Sequence, residues 1–351
     1  MKVSREVRIG DVIIGGGREI AVQSMTNTET KDVASTVNQI RRLEKAGCEI
    51  VRCAVYDTEC ADVIPLIKKE ISIPLVADIH FDYRVAVAAI KNGADKVRIN
   101  PGNIGGRDKI LEVVKAAKDH GVPIRVGGNT GSLPEDIAAS DMRASDALVV
   151  SAERNIAVLE EAGFSDIVVS LKSSDVRTTV EAYRKMAEKY DYPLHLGITE
   201  AGIYEDAAVK SAIGLGTLLL DGIGDTIRVS VSGDPVSEIA IAKKILAFTG
   251  LGKGGVEIVS CPTCSRCSLD IENIVKRLKE YTADFKGCFK IAVMGCVVNG
   301  PGEAKGADFG IAGGKGKAML FVKGEEPRFV GEDDIVSELK VLCDRYERSG
   351  R

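Results

Sequence analysis

Eight short runs rich in β-branched residues alternate with helical patterns through residue 250, and few architectures satisfy that order. The runs are 20–25, 49–55, 74–80, 96–101, 123–129, 166–172, 193–200 and 226–232. Between them, VASTVNQIRRLEKAG places Val37, Ile40, Leu43 and Ala46 along one helix face and stops at Gly47. ADVIPLIKKE, RDKILEVVKAAKDHG and VSEIAIAKKILAFTG repeat the theme. Strands alternating with helices imply parallel βαβ units. Eight units in one stretch fit a (β/α)₈ barrel better than a doubly wound open sheet, because no G-x-G-x-x-G follows the first strand. VRIGDVIIGGGREIAV, ahead of the first unit, reads as a hairpin closing the barrel floor. GSLPEDIAASDMRASDA, between the fifth and sixth strands, reads as a loop or an extra helix.

The texture changes near Gly250. LGKGGVEIV is a Gly-rich hinge running into a strand. A helix over 269–283, a strand over 290–294, a Gly-rich segment over 300–316, a strand over 318–322 and a helix over 333–348 follow. The expected organisation is therefore α/β: a barrel over 1–249 and a smaller α+β domain over 250–351. The 351 residues suit two domains. The net charge of −4, the absence of Trp and the 5% aromatic content argue against nucleic-acid binding. No apolar run reaches the ~20 residues of a membrane helix, and MKVSREVRIG lacks a secretory apolar stretch. A cytoplasmic protein is the expectation. Its nine cysteines then suggest a metal or catalysis rather than disulfides.

In a parallel barrel the C-terminal strand ends face the active site. Those ends carry Arg52, Asp78 with His80, Arg98 with Asn100, Arg125 with Asn129, Lys172, His195 with Glu200, and Arg228. Five cations at one mouth imply a diphosphate or a multiply phosphorylated anion, since guanidinium forks match phosphate oxygens. The alternative is structural bridging to Asp78 and Glu200. His80 and His195 suit either core packing or the site, whereas His120 suits a helix cap. Glu200 suits a proton donor or base, or a counter-ion to the arginines.

Cys261-Pro-Thr-Cys264 and the later Cys296 form the densest thiol pattern, with Glu303 nearby. Cys267 and Cys288 compete as ligands. Iron–sulfur and zinc both use such thiols, and structural zinc prefers four closed Cys/His ligands. Three thiolates and one carboxylate would leave one iron exchangeable. Cys48, Cys53, Cys60 and Cys343 read as buried small hydrophobes.

AVQSMTNTETKD, PLVADIHFDYRVA, RINPGNIG, HLGITEAG, SAIGLGTLLLDGIGDTIRVSVSGDP, SCPTCSR and MGCVVNGPGEA, in that order, resemble the compact bacterial 4-hydroxy-3-methylbut-2-enyl diphosphate synthases over essentially the whole chain. The resemblance implies reductive ring opening of 2-C-methyl-D-erythritol 2,4-cyclodiphosphate, in the non-mevalonate isoprenoid pathway. It implies a [4Fe–4S] cluster held by Cys261, Cys264, Cys296 and an exchangeable Glu303, with electrons from flavodoxin or ferredoxin. Arg52, Arg98, Arg125, Asn129 and Lys172 match diphosphate-binding positions, and His195 matches a polar position lining the mouth. Asp78 and His80 are further substrate-site candidates at their strand end. Glu200 matches a proposed proton donor. A homodimer is implied, the cluster domain of each subunit capping the other's barrel. Lys253 in place of an arginine, Gly128 in place of a bulkier residue, and the added thiol Cys267 are departures from the family pattern.

Overall fold

The computed structural model describes residues 3–349 apart from 297, 299–301, 303 and 315, and describes 102 and 103 by their backbone alone. The chain forms two compact units, Met1–Leu251 and Gly252–Arg351.

The first unit is the expected barrel. A floor hairpin pairs β1 (Val7–Ile9) with β2 (Val12–Ile14). The barrel strands are β3 (Ala21–Met25), β4 (Ile50–Ala54), β5 (Leu75–Asp78), β6 (Lys96–Arg98), β7 (Ile124–Asn129), β8 (Ile167–Lys172), β9 (His195–Leu196) and β10 (Thr226–Ile227). All pair in parallel in the order β8-β7-β6-β5-β4-β3-β10-β9. A bridge between Val169 and Leu194 joins β8 to β9 and closes the ring. The hairpin packs Val7, Ile9 and Ile14 against Ala21, Ile50, Val76 and Val168, an apolar plug under the strands.

The helix over Val33–Ala46 buries Thr36, Val37, Gln39, Ile40 and Leu43, and the Asp32 carboxylate caps it by accepting from the Ser35 N–H. The long interval after β7 holds a 3₁₀ turn at Thr130–Ser132, a short helix at Glu135–Ala138 and the main helix Ala144–Glu161. The last two barrel strands are much shorter than the sequence pattern suggests. Each pairs over two residues, after which GITEAG and RVSVSGDP leave the sheet as loops.

The second unit is a five-stranded sheet, β11 (Gly255–Ser260), β12 (Cys288–Met294), β13 (Phe309–Gly314), β14 (Lys317–Val322) and β15 (Arg328–Gly331), paired in that order. The first three run parallel and the rest antiparallel. Helices Ile271–Tyr281 and Ile335–Ser349 contribute Ile274, Leu278, Leu339 and Leu342 to its core. Two strands escape the sequence reading, and β13 lies inside the segment read as a Gly-rich loop. Its glycines serve close packing: a Cβ at Gly310 would stand 2.2 Å from the Ala292 carbonyl oxygen.

Candidate functional site

Strand periodicity sends every second side chain into the barrel. On β6 those are Lys96 and Arg98; register places Arg98 beside Arg125 and beside Asp78. Arg52 on β4 and Lys172 on β8 face the same interior, and Arg228 follows β10 directly. Gly197 keeps Lys172 in place, since a Cβ there would meet the Lys172 Nζ at 2.8 Å and the Arg228 carbonyl oxygen at 3.0 Å.

The structure gathers the predicted cations and buries them more deeply than an open mouth implies. Arg125 is 1% exposed, Lys172 7% and His195 0%. Burying charge is costly unless counter-charge meets it. Asp78 meets two of the arginines, at 3.6 Å from Arg52 Nε and 3.4 Å from Arg98 Nη1. Glu238, 2% exposed in the first turn of the helix Val236–Phe248, meets Arg228 at 3.3 Å and accepts from the Ser24 hydroxyl. Those two carboxylates serve six cations: Arg52, Lys96, Arg98, Arg125, Lys172 and Arg228. The Arg125 guanidinium keeps Nε and Nη2 without partners, as do Lys96 Nζ and both amide atoms of Gln23. Such orphans are what an anion site shows before its anion is counted.

Electrostatics follow from that imbalance. Burial lowers the Arg52 pKa to about 10, only partly opposed by Asp78. Burial, then Arg125 and Arg52, hold Lys172 well below its ordinary range. His195 is held neutral by burial and by the same cations. Its Nδ1 lies 2.7 Å from Thr226 Oγ1 and its Nε2 3.5 Å from Lys172 Nζ, while the Tyr183 hydroxyl donates to its carbonyl. His195 thus stands between Thr226 and Lys172. Burial acts to raise the Asp78 carboxyl, but Arg52, the His80 contact, Arg98 and Arg125 outweigh it and hold the group well below the carboxylate range. A depressed folded-state pKa contributes stability above the unfolded value near 4 and loses it as pH falls below that. Asp78→Asn should cost about 3–5 kcal/mol at neutral pH by stranding buried arginines, and should flatten the acid limb of the stability curve. Urea melts across the acid range measure both.

His80 is half exposed and lies against Arg98 at 3.1 Å and Asp78 at 3.5 Å. Asn129 ends β7, in register with Lys172. Glu200 is exposed in the loop after β9 with φ +54°, the one non-glycine residue at positive φ among those described. A non-glycine held there is strained, as functional residues often are. His120 bonds its own helix, 3.0 Å from the Ala116 carbonyl oxygen.

In the second unit, β11 and β12 run parallel with Ser260 opposite Val293. The chain leaves both strands side by side, into Cys261 and into Gly295-Cys296. The Gly295 N–H donates to Cys261 Sγ at 3.1 Å. Cys264 is exposed, and the Cys267 N–H bonds its carbonyl oxygen. Cys267 is half-buried on the domain core, its thiol 3.2 Å from the Leu269 carbonyl oxygen and close against Gly295, where any Cβ would collide with its sulfur. Cys288 is exposed at the far end of β12. Glu303 lies outside the described residues. No three His, Cys, Asp or Glu side chains among the described residues converge tightly enough for a single ion. A four-iron cube spaces its thiolates wider than one ion does, and an N–H aimed at sulfur at paired strand ends suits it. Cys48, Cys53, Cys60 and Cys343 are buried, with burial raising Cys48 to about 12 and Cys53 to about 11.

The sequence reading passed over Lys96, Gln23 and Glu238. Lys96 was legible in principle, two residues before Arg98 on one strand face. Glu238 sits on a helix, where only the fold brings it to Arg228.

Comparison with known proteins agrees with this division. A family model for the GcpE TIM-barrel domain matches residues 4–243, and one for the GcpE protein C-terminal domain matches 257–345. A 4-hydroxy-3-methylbut-2-en-1-yl diphosphate synthase (flavodoxin) from Clostridium perfringens is 55% identical, covering 96% of this chain and 97% of its own. The protein of that name from Anoxybacillus flavithermus is 54% identical, covering 99% and 97%. Among solved structures, a dihydropteroate synthase from Stenotrophomonas maltophilia matches 70% of this chain and 98% of its own, with TM-score 0.53 and 15% identity. That likeness concerns the fold alone.

Proposed function

The chain belongs to the GcpE family, and from that membership we propose that it reductively opens 2-C-methyl-D-erythritol 2,4-cyclodiphosphate to 4-hydroxy-3-methylbut-2-enyl diphosphate. Two electrons and two protons enter, one ring C–O bond breaks and one hydroxyl leaves as water. The observation that carries the substrate half of this reading is the buried Arg125 guanidinium, with two donor atoms unpartnered in a cation-rich barrel.

In this reading Arg52, Arg98, Arg125 and Lys172 bind the diphosphate oxygens, and Asn129 and His80 complete the rim. Asp78 holds Arg52 and Arg98 at the right spacing, and neutral His195 orients Lys172 without adding charge. Cys261, Cys264 and Cys296, with Glu303 as the displaceable ligand, would hold a [4Fe–4S] cluster. Bound there, it supplies single electrons and an iron open to an oxygen ligand. Flavodoxin, named for the relatives, or ferredoxin is the electron source. Glu200 donates a proton to the departing hydroxyl oxygen. Glu200→Gln should then lower kcat by roughly 10²–10⁴ with visible absorbance unchanged, the range of a lost general acid. The enzyme works in this reading as a cytoplasmic homodimer. The family resemblance supports the dimer, and no described helix is long and apolar enough to cross a membrane.

The test is anaerobic reconstitution with iron and sulfide, followed by turnover of the cyclic diphosphate with a strong one-electron reductant. Broad visible absorbance and release of the linear diphosphate are expected. A colourless protein binding one zinc would refute the reading.

A further inference from the structure

Lys96 opens β6 two residues before Arg98, so its side chain enters the same barrel face roughly 7 Å nearer the floor. It is 0% exposed, and its Nζ has no hydrogen-bond partner. The carboxylates of the interior are committed elsewhere: Asp78 to Arg52 and Arg98, Glu238 to Arg228. Lys172 at least has the His195 ring. Gln23 and Arg125 supply further unpartnered atoms to the same interior. A charged lysine without counter-charge in such a place is costly, and the cost is relieved either by loss of its proton or by a bound anion.

We propose that Lys96 is a positioning residue of the diphosphate site, neutral in the free enzyme and protonated from solvent when a diphosphate reaches Arg98 and Arg125. This rests on the diphosphate reading of the barrel. Binding then draws in a proton, and the new ammonium supports the anion from below. The groups that set this balance from neighbouring strands are Arg52, Asp78, Arg98, Arg125, Lys172 and His195. Arg228 after β10, and Tyr183 and Glu238 on the packed helices, complete it. Only Asp78 and Glu238 are acidic, and both are already paired. Burial, then Arg125 and Arg52, push the free Lys96 ammonium well below its ordinary range, in keeping with a neutral amine. The diphosphate supplies the negative charge that reverses this.

Calorimetric titration of the reconstituted full-length enzyme with inorganic pyrophosphate, in two buffers of different ionisation enthalpy, reads the proton count directly. Beyond the change set by pyrophosphate's own ionisation, the wild type should take up protons at the buried amines, since Lys96 and Lys172 are both held below their ordinary range and each can gain one. Lys96→Met should take up about one proton fewer, bind roughly 10-fold more weakly, as loss of one ammonium charge near the anion implies, and melt at a higher temperature. Lys172→Met should lose its own share of the uptake and keep the part that Lys96→Met removes. Binding by wild type without proton uptake overturns the inference with no variant needed. So does uptake left undiminished by Lys96→Met and Lys96→Gln. A Lys96→Met protein that melts lower and binds normally assigns the lysine a purely structural role. Failure of the wild type to bind pyrophosphate or the cyclic diphosphate refutes the diphosphate reading itself, and this inference falls with it.

Discussion

Cys261→Ala should give a folded but colourless protein whose turnover is at least ~10³-fold down, because the step has no electron route without the bound centre. Cys261 follows β11, where parallel pairing with β12 sets it beside Gly295, whose N–H points at its sulfur. On the proposed ligand set, removing that sulfur would leave two cysteines and one carboxylate, too few to hold a four-iron cube against exchange. The core of the second unit is built from Ile274, Leu278, Phe309, Ile311, Leu320 and Leu339, so the fold should survive, with the melting temperature lowered by loss of a bound ligand. Cys267→Ala is the matched control. Its thiol faces the Leu269 carbonyl, and the variant should keep colour and activity. Iron content, visible absorbance and turnover after parallel anaerobic reconstitution separate the outcomes. An active Cys261→Ala enzyme would remove the thiolates from the mechanism.

Arg125→Met should lower kcat/KM by roughly 10²–10⁴ while raising thermal stability. Two charge-assisted bonds to phosphate are worth about 3–6 kcal/mol together. Those bonds exist only with substrate present; without it, Nε and Nη2 are buried donors lacking partners, 1% exposed. Methionine fills similar volume and needs none, so the free protein gains what the complex loses. Paired melts and steady-state kinetics give both signs. A variant less stable than wild type with unchanged kcat/KM would make Arg125 a structural bridge rather than a phosphate ligand.

The opposite signs arise from a conflict that local residue patterns already contain. Arg52, Arg98, Arg125 and Lys172 stand on strands that must point half their side chains inward, and alternation alone identifies them as interior cations. Helix Val33–Ala46 was equally legible, because its apolar stripe and Asp32 cap are local. The last two barrel strands were not. Their β-branched residues continue past Leu196 and Ile227, and only the lack of a pairing neighbour ends them. β13 was hidden for the converse reason: FGIAGG has turn composition, yet its glycines admit the neighbouring backbone. The thiol pattern of Cys261, Cys264 and Cys296 was visible as spacing, but which of five nearby cysteines turn inward was not.

By itself, then, the chain's order of residues determined eight β/α units, a cationic interior and a separate thiol-bearing domain, since each depends on periodicity or on short-range composition. Tertiary structure alone decided that Glu238 answers Arg228, that His195 lies beside Lys172, that Cys261 meets the Gly295 N–H, and that Lys96 is left without counter-charge. Those are relations between residues on different elements, and charge balance inside a barrel exists only once the ring of strands has closed.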